Sequence, residues 1–254
     1  MGVLDLERMT WPEVRAELDG GRDTVVVPFG AVEQHGPHLP LGTDAMFGDE
    51  IGRAAAERLN AFLAPTIPVG CSRHHLAFAG TMSVEEETFC RIVGDIVKAL
   101  AGHGFRRIVL LPTHGGNFQP LGEALAQLGP LEGVEVIAFK DVGVLASATL
   151  GVGAEMGVSA AEGGIHAGEW ETSMMLALRP ELVRMERAEP GYVGDLASGM
   201  QRFFSEGVHV LADNGVFGDP RRASAEAGRK YIERLVEVVV RTVEESQSDE
   251  GEPA

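Results

Sequence analysis

Three short stretches of this sequence carry side chains that can grip a metal ion. The first is Glu33-Gln34-His35-Gly36-Pro37-His38-Leu39-Pro40-Leu41-Gly42-Thr43-Asp44. Glu33 and His35 are two apart, so in extended backbone they project to the same side. Asp44, at the start of the next expected helix, can turn its carboxylate back toward them. Glu, His and Asp together suit Zn2+ or Mn2+, and the two oxygens of a carboxylate let Asp44 bridge two ions. Taken alone, the stretch is equally explained by an Asp44 that only caps a helix, a solvated Glu33 and a hydrogen-bonded loop His35. Recurrence weighs against that reading. Thr113-His114-Gly115-Gly116-Asn117 offers His114 beside paired glycines that let backbone approach a ligand closely, and His166-Ala167-Gly168-Glu169-Trp170-Glu171-Thr172-Ser173 offers an imidazole and two carboxylates.

The chemistry such a set performs is metal-assisted hydrolysis. Two cations roughly 3.5–4 Å apart acidify a shared water toward neutrality and polarise a scissile carbonyl. An expelled nitrogen then needs a proton, and His166 is the candidate general acid because imidazole titrates near neutral pH. Asn117 either caps the helix after the glycines or orients substrate, with the cap favoured. His38 suits packing or support of a ligand better than ligation, and His103 and His209 lie outside every motif.

The elements around these stretches explain why they can meet. Thr10-Trp11-Pro12-Glu13 reads as a capping box opening a short helix toward Leu18, stopped at Gly20-Gly21. Thr24 to Phe29 is a run of the kind buried on both faces of a parallel sheet, and the first metal-type stretch follows its carboxyl end, where open α/β sheets bind ligands. A helix is predicted over Asp44–Leu59 and a strand over Phe62–Ile67. A second capping box at Ser83 and Glu86 opens the next helix, with Phe89, Ile92, Val93, Ile96, Val97 and Leu100 on one face. Arg107–Leu111 and Val134–Phe139 repeat the strand pattern with a helical stretch to Leu128 between them. Asp141 to Gly164 shows no firm period. Helices are predicted over Gly168–Leu178 and Ser224–Val243. Strands alternating with helices give an α/β class with a mostly parallel sheet and right-handed crossovers.

Composition bounds the rest. The 254 residues, 44% hydrophobic and 23% charged, fit one globular domain over 1–243 with an acidic, flexible tail at 244–254. A net charge of −17 opposes a nucleic-acid partner, whose phosphates need cationic contacts. Neither an export signal nor an apolar run long enough for a membrane is readable, so no membrane partner is expected. Two cysteines, Cys71 and Cys90, are too few for a disulfide scaffold and fit a cytoplasmic location. Cys71 has no neighbouring base in sequence and is not expected to be a nucleophile.

In its motifs the chain resembles the creatininase family of metal-dependent amidohydrolases. The likeness covers Thr10 to Glu13, Glu33 to Asp44, the loop Ser72 to Ser83, His114-Gly115-Gly116-Asn117, and His166 to Ser173. It implies a three-layer α/β/α sandwich with a dinuclear site holding two divalent ions per chain, Zn2+ first with Mn2+ or Fe2+ as alternatives, commonly in homohexamers. By that resemblance Glu33 and His114 hold one ion, His35 and Glu169 the other, and Asp44 bridges them. His166 is then the proton donor and His75 faces substrate from the pocket loop. One departure stands out. A Glu that binds metal in creatininase, two residues after the histidine matching His114, is here Gly116; Glu169 is the expected substitute, and Glu171 is expected to be structural or supporting. That change is similar to members other than creatininase itself. No aromatic residue in 141–164 matches the substrate-stacking tryptophan of creatininase. The expected substrate is a small amide, cyclic amide or formamide; the alternatives are a peptidase of a mycofactocin-type precursor peptide, or a non-catalytic metal-binding subunit.

Overall fold

A computed structural model describes residues 2–249 of the chain. Five parallel strands, β1 (Leu4–Asp5), β2 (Thr24–Phe29), β3 (Phe62–Leu63), β4 (Arg107–Pro112) and β5 (Glu135–Ala138), form one sheet in the order β1-β3-β2-β4-β5. β2 and β4 lie side by side in the middle, with Val25 opposite Ile108, Val27 opposite Leu110 and Phe29 opposite Pro112. Successive side chains leave opposite faces of a strand, so each run feeds two cores. Val25, Val27, Phe29, Ile108 and Leu110 pack against α3 (Glu86–His103) and α4 (Phe118–Leu128) through Phe89, Val93, Val97 and Leu121. Val26, Val109 and Leu111 face the other way. There they meet α2 (Thr43–Arg58), α5 (Val142–Glu155), α7 (Glu169–Leu178) and α9 (Ala225–Asp249) through Phe47, Val152, Met174 and Tyr231. The result is the α/β/α sandwich expected. α1 (Trp11–Asp19), α6 (Ala160–Gly163) and α8 (Leu196–Glu206) complete the helices.

Some local expectations fail for identifiable reasons. The capping box at Thr10 and Glu13 is present, but Ser83 does not cap α3. Its hydroxyl instead accepts the Ser72 amide at 2.9 Å, closing the loop that carries His75. β3 is two residues long, and Ile67 adds only an isolated bridge to Phe29. The 141–164 segment holds α5 and α6. α5 has almost no polar side chain, so it carries no amphipathic period to read. The closing helix continues to Asp249, through part of the stretch read as a tail, while 250–254 lie outside the described residues. Cys71 and Cys90 are free and buried. Among the described residues no helix is long and apolar enough to cross a membrane.

Candidate metal centre

Each metal-type stretch is fixed by backbone that crowds closely at the carboxyl edge of the sheet. Gly30, just past β2, lies so near α2 that a Cβ there would sit 2.7 Å from the Ala45 Cα. This close approach brings Asp44, in the first turn of α2, up to the loop holding Glu33 and His35. At the end of β4, the Thr113 hydroxyl donates to the Asp44 carbonyl at 2.8 Å, locking the His114 loop to α2. His166 is held by an antiparallel bridge to Phe217, whose amide donates to the His166 carbonyl at 2.8 Å. Ala167 then adopts a left-handed φ of 52°, a conformation rare outside glycine that persists only when surroundings impose it.

These constraints gather the donors into one buried cluster. His35 Nε2 lies 3.2 Å from Asp44 Oδ1, and His114 Nδ1 lies 3.2 Å from Asp44 Oδ2 and 3.3 Å from Glu33 Oε1. His75 Nε2 is 3.2 Å and His166 Nδ1 3.8 Å from the same Glu33 oxygen. Four overlapping triads have their ligand atoms within 4.8 Å of one another: Glu33 with His35 and Asp44, His35 with His166 and Glu171, Glu33 with His75 and His166, and Glu33 with His74 and His114. Glu33 Oε2 is buried with no hydrogen-bond partner among the described residues, and Asp44 Oδ2 is buried with the His114 ring nitrogen 3.2 Å away but poorly aligned for a hydrogen bond. A buried carboxylate oxygen so placed is costly unless a cation meets it, and these oxygens and imidazole nitrogens are the donor types that divalent metals take. The residues therefore fit a metal.

Of the predicted ligands, Glu33, His35, Asp44 and His114 meet here, as do His75 and His166, but Glu169 does not. Its carboxylate accepts the Ser173 and Tyr231 hydroxyls, each at 2.6 Å, and so joins α7 to α9. Glu171 occupies the donor cluster instead, accepting the Ala167 amide as it does so. Residues two apart on a helix point about 200° away from each other, so one carboxylate of the motif must face the core when the other faces the site. Asn117 neither caps α4 nor reaches the cluster. It is fully buried, donating to the Phe29 and Gly30 carbonyls at 3.2 and 3.0 Å and accepting the Cys71 amide at 3.0 Å. His38 bonds the Thr172 hydroxyl at 2.9 Å, a packing role. His74, outside the predicted set, stacks on His114 with ring centres 5.8 Å apart.

Charge in the cluster runs strongly toward binding cations. Burial disfavours a charged His35, but Asp44, Glu171 and Glu33 outweigh it and lift the imidazole to about 10. Burial likewise opposes a charged His114, yet Glu33 and Asp44 raise it well above the ordinary value. Burial pushes the Glu171 carboxyl up to about 7. His75 and His166 go the other way: burial, reinforced by neighbouring imidazoles, holds both neutral. Imidazoles raised in the folded protein stabilise it fully below about 6.5 and lose that contribution as pH climbs toward 10; a raised Glu171 acts with the same sign up to about 7. The metal-free protein should thus melt about 5 °C or more lower at pH 10 than at pH 6.5, and saturating divalent ions should flatten the dependence by taking the proton's place. Melting curves with and without chelator measure this; a metal-free melting temperature that is level or rising over that range would contradict it.

A family model described as "Creatininase: Creatinine amidohydrolase" matches residues 7–243. The chain belongs to the creatininase family. Within it, the mycofactocin precursor peptide peptidase of Mycobacterium ulcerans is 33% identical over 237 residues, 90% of this chain and 83% of that protein. The creatinine amidohydrolase of Pseudomonas putida is 32% identical over 200 residues, covering 70% and 73%. A solved tryptophan-to-phenylalanine mutant of creatininase superposes with a TM-score of 0.76 at 26% identity, over 96% of this chain and 98% of that one. This creatininase-family protein is accordingly an amidohydrolase, acting on carbon–nitrogen bonds in a family that depends on divalent metal.

Proposed function

We propose that the protein hydrolyses an amide with two divalent ions held by Glu33, His35, Asp44, His114 and Glu171. Glu33 and His114 would hold one ion, His35 and Glu171 the other, and Asp44 would serve both. The observation that carries this is the pair of buried carboxylate oxygens, Glu33 Oε2 with no hydrogen-bond partner among the described residues and Asp44 Oδ2 met by the His114 ring nitrogen at 3.2 Å without good hydrogen-bond geometry. Zn2+ is the first choice, with Mn2+ and Fe2+ served by the same oxygen and nitrogen donors. The ions, once bound, supply Lewis acidity toward the substrate carbonyl and acidify a water. The chain's own groups do the rest. His166, held neutral beside Glu33, takes a proton and hands it to the leaving nitrogen. Val142, Ala146, Ile165, Met200 and Phe203 wall a cavity of about 150 Å³ that keeps bulk water from the donors and suits a small amide, cyclic amide or formamide. Exposed Val142, Val144, Leu150 and Phe204 on α5 and α8 support a homo-oligomer, hexameric by family likeness, and two free buried thiols suit residence in the cytoplasm.

A second reading, cleavage of a short peptide, is favoured by one feature. A larger cavity of about 770 Å³ adjoins the donor pocket, sharing His74, Gly115, Val142 and Phe204 with it, and is lined by both Arg73 and Lys140 and the carboxylates Glu85 to Glu87. Such a channel has room and charge for several residues. Metal-loaded protein assayed against formamides, lactams, creatinine and short carboxyl-terminal peptides separates the two, and elemental analysis should find about two ions per chain. Chelation should abolish turnover of whichever substrate is found; turnover that survives complete removal of metal would overturn the proposal.

A further inference from the structure

Gln34 lies between Glu33 and His35, and its carboxamide is gripped at both ends. Oε1 accepts the Gly36 amide at 2.9 Å, and Nε2 donates to the Gly215 carbonyl at 3.0 Å. This pair fixes which end is nitrogen, because a flipped amide would set N–H against N–H and oxygen against oxygen. Gly215 has a left-handed φ of 76°, and a Cβ there would lie 2.0 Å from Gln34 Oε1, so glycine is needed for the carboxamide to lie against this backbone.

Nε2 has one hydrogen left and two imidazole nitrogens in reach, His75 Nδ1 at 2.8 Å and His166 Nε2 at 2.9 Å. His166 Nε2 is also 2.7 Å from the Gln34 carbonyl oxygen, a pure acceptor. Only an N–H can make that contact, so His166 Nε2 carries hydrogen and cannot accept another. The remaining amide hydrogen goes to His75 Nδ1.

We infer that Gln34 is a positioning residue that holds two imidazoles of the pocket in the same Nε2–H tautomer but with opposite edges toward the donor cluster, so that His75 presents Nε2–H and His166 a bare Nδ1. The inference rests on the metal-site reading above and sharpens it. A nitrogen that bears hydrogen cannot coordinate, so His75 is not a ligand despite lying 3.2 Å from Glu33 Oε1. Its Nε2 is buried without a hydrogen-bond partner, which leaves it free to donate to the oxygen of a bound carbonyl. His166 acts first as an acceptor and gives a proton only after it has received one.

The test is nitrogen-15 NMR on protein labelled at its eight histidines, metal-free and Zn2+-loaded, with His75 and His166 assigned by single substitution. The expected spectrum shows the proton on Nε2 of both rings. In Gln34→Glu an oxygen replaces the donor, and the His75 proton should move to Nδ1 while His166 keeps its own on Nε2. A wild-type His75 protonated at Nδ1 overturns the inference, as does a Gln34→Glu spectrum unchanged from wild type. Should that variant not fold, the wild-type spectrum and the ion content of His75→Ala decide: ions retained at the wild-type count support the assignment, and loss of one overturns it. A wild-type protein that binds no ion would defeat the metal reading alone, because the tautomers are read in the metal-free spectrum as well.

Discussion

Asp44→Asn should hold no more than one ion per chain and lose at least about a thousandfold in kcat/KM, the scale seen when a preorganised electrostatic group is removed from an active site. The reason is its position. Oδ1 and Oδ2 each stand 3.2 Å from a different imidazole, His35 on one side and His114 on the other. Among the described residues no other carboxylate comes within ion-pair distance of both rings, Glu33 reaching His114 alone. Losing its charge therefore weakens both ion sites together. Asparagine keeps the volume, so the fold should survive, and the metal-free variant carries a second signature. Asp44 is among the groups that raise His35 and His114, so the fall in melting temperature between pH 6.5 and pH 10 should shrink with it. Elemental analysis, kinetics and melting curves read all three effects. Two ions retained at near wild-type turnover would remove Asp44 from the bridging role.

The part of this architecture legible in the sequence is the part whose causes are local. β2 and β4 announce themselves because Val25 to Phe29 and Ile108 to Leu111 are apolar on both faces, which only a central strand tolerates. Glu33, Asp44 and His114 could be placed together because each follows directly on the end of such a strand or opens the helix after it. α8 went unread although Asp195 caps it by accepting the Ser198 amide at 2.8 Å, an Asp-x-x-Ser signal present in the sequence. α5 could not be read, since helical period is visible only where one face differs from the other. Asn117 fails for a different reason. Its position beside the glycines suits a cap, but backbone from two distant segments, 29–30 and 70–71, closes around it, and a Cβ at Gly70 would sit 2.2 Å from its Oδ1. That enclosure is tertiary. Gln34 had no catalytic chemistry of its own to mark it, and its importance appears only when His75 and His166, 41 and 132 residues away, arrive on either side.

Glu169 and Glu171 offer the sharpest separation of ligand from scaffold. Glu171→Gln preserves shape and an oxygen for the Ala167 amide but removes the charge that faces His35. It should lose one ion per chain and about a hundredfold or more in kcat, with little change in melting temperature. Glu169→Ala should do the reverse. Burial, and then the bond to Glu169, keep the Tyr231 hydroxyl protonated, so truncating Glu169 strands a buried donor on α9 and another at Ser173 and leaves a hole between the helices. Stranded donors and a cavity together cost about 2–4 kcal/mol, or roughly 5–10 °C in a chain of this size. Both ions and most of kcat should remain at temperatures where the variant is folded. The opposite pattern, an ion lost from Glu169→Ala and two kept by Glu171→Gln, would return the ligand role to Glu169 and require α7 to rotate by about half a turn from the arrangement that buries its carboxylate against Tyr231.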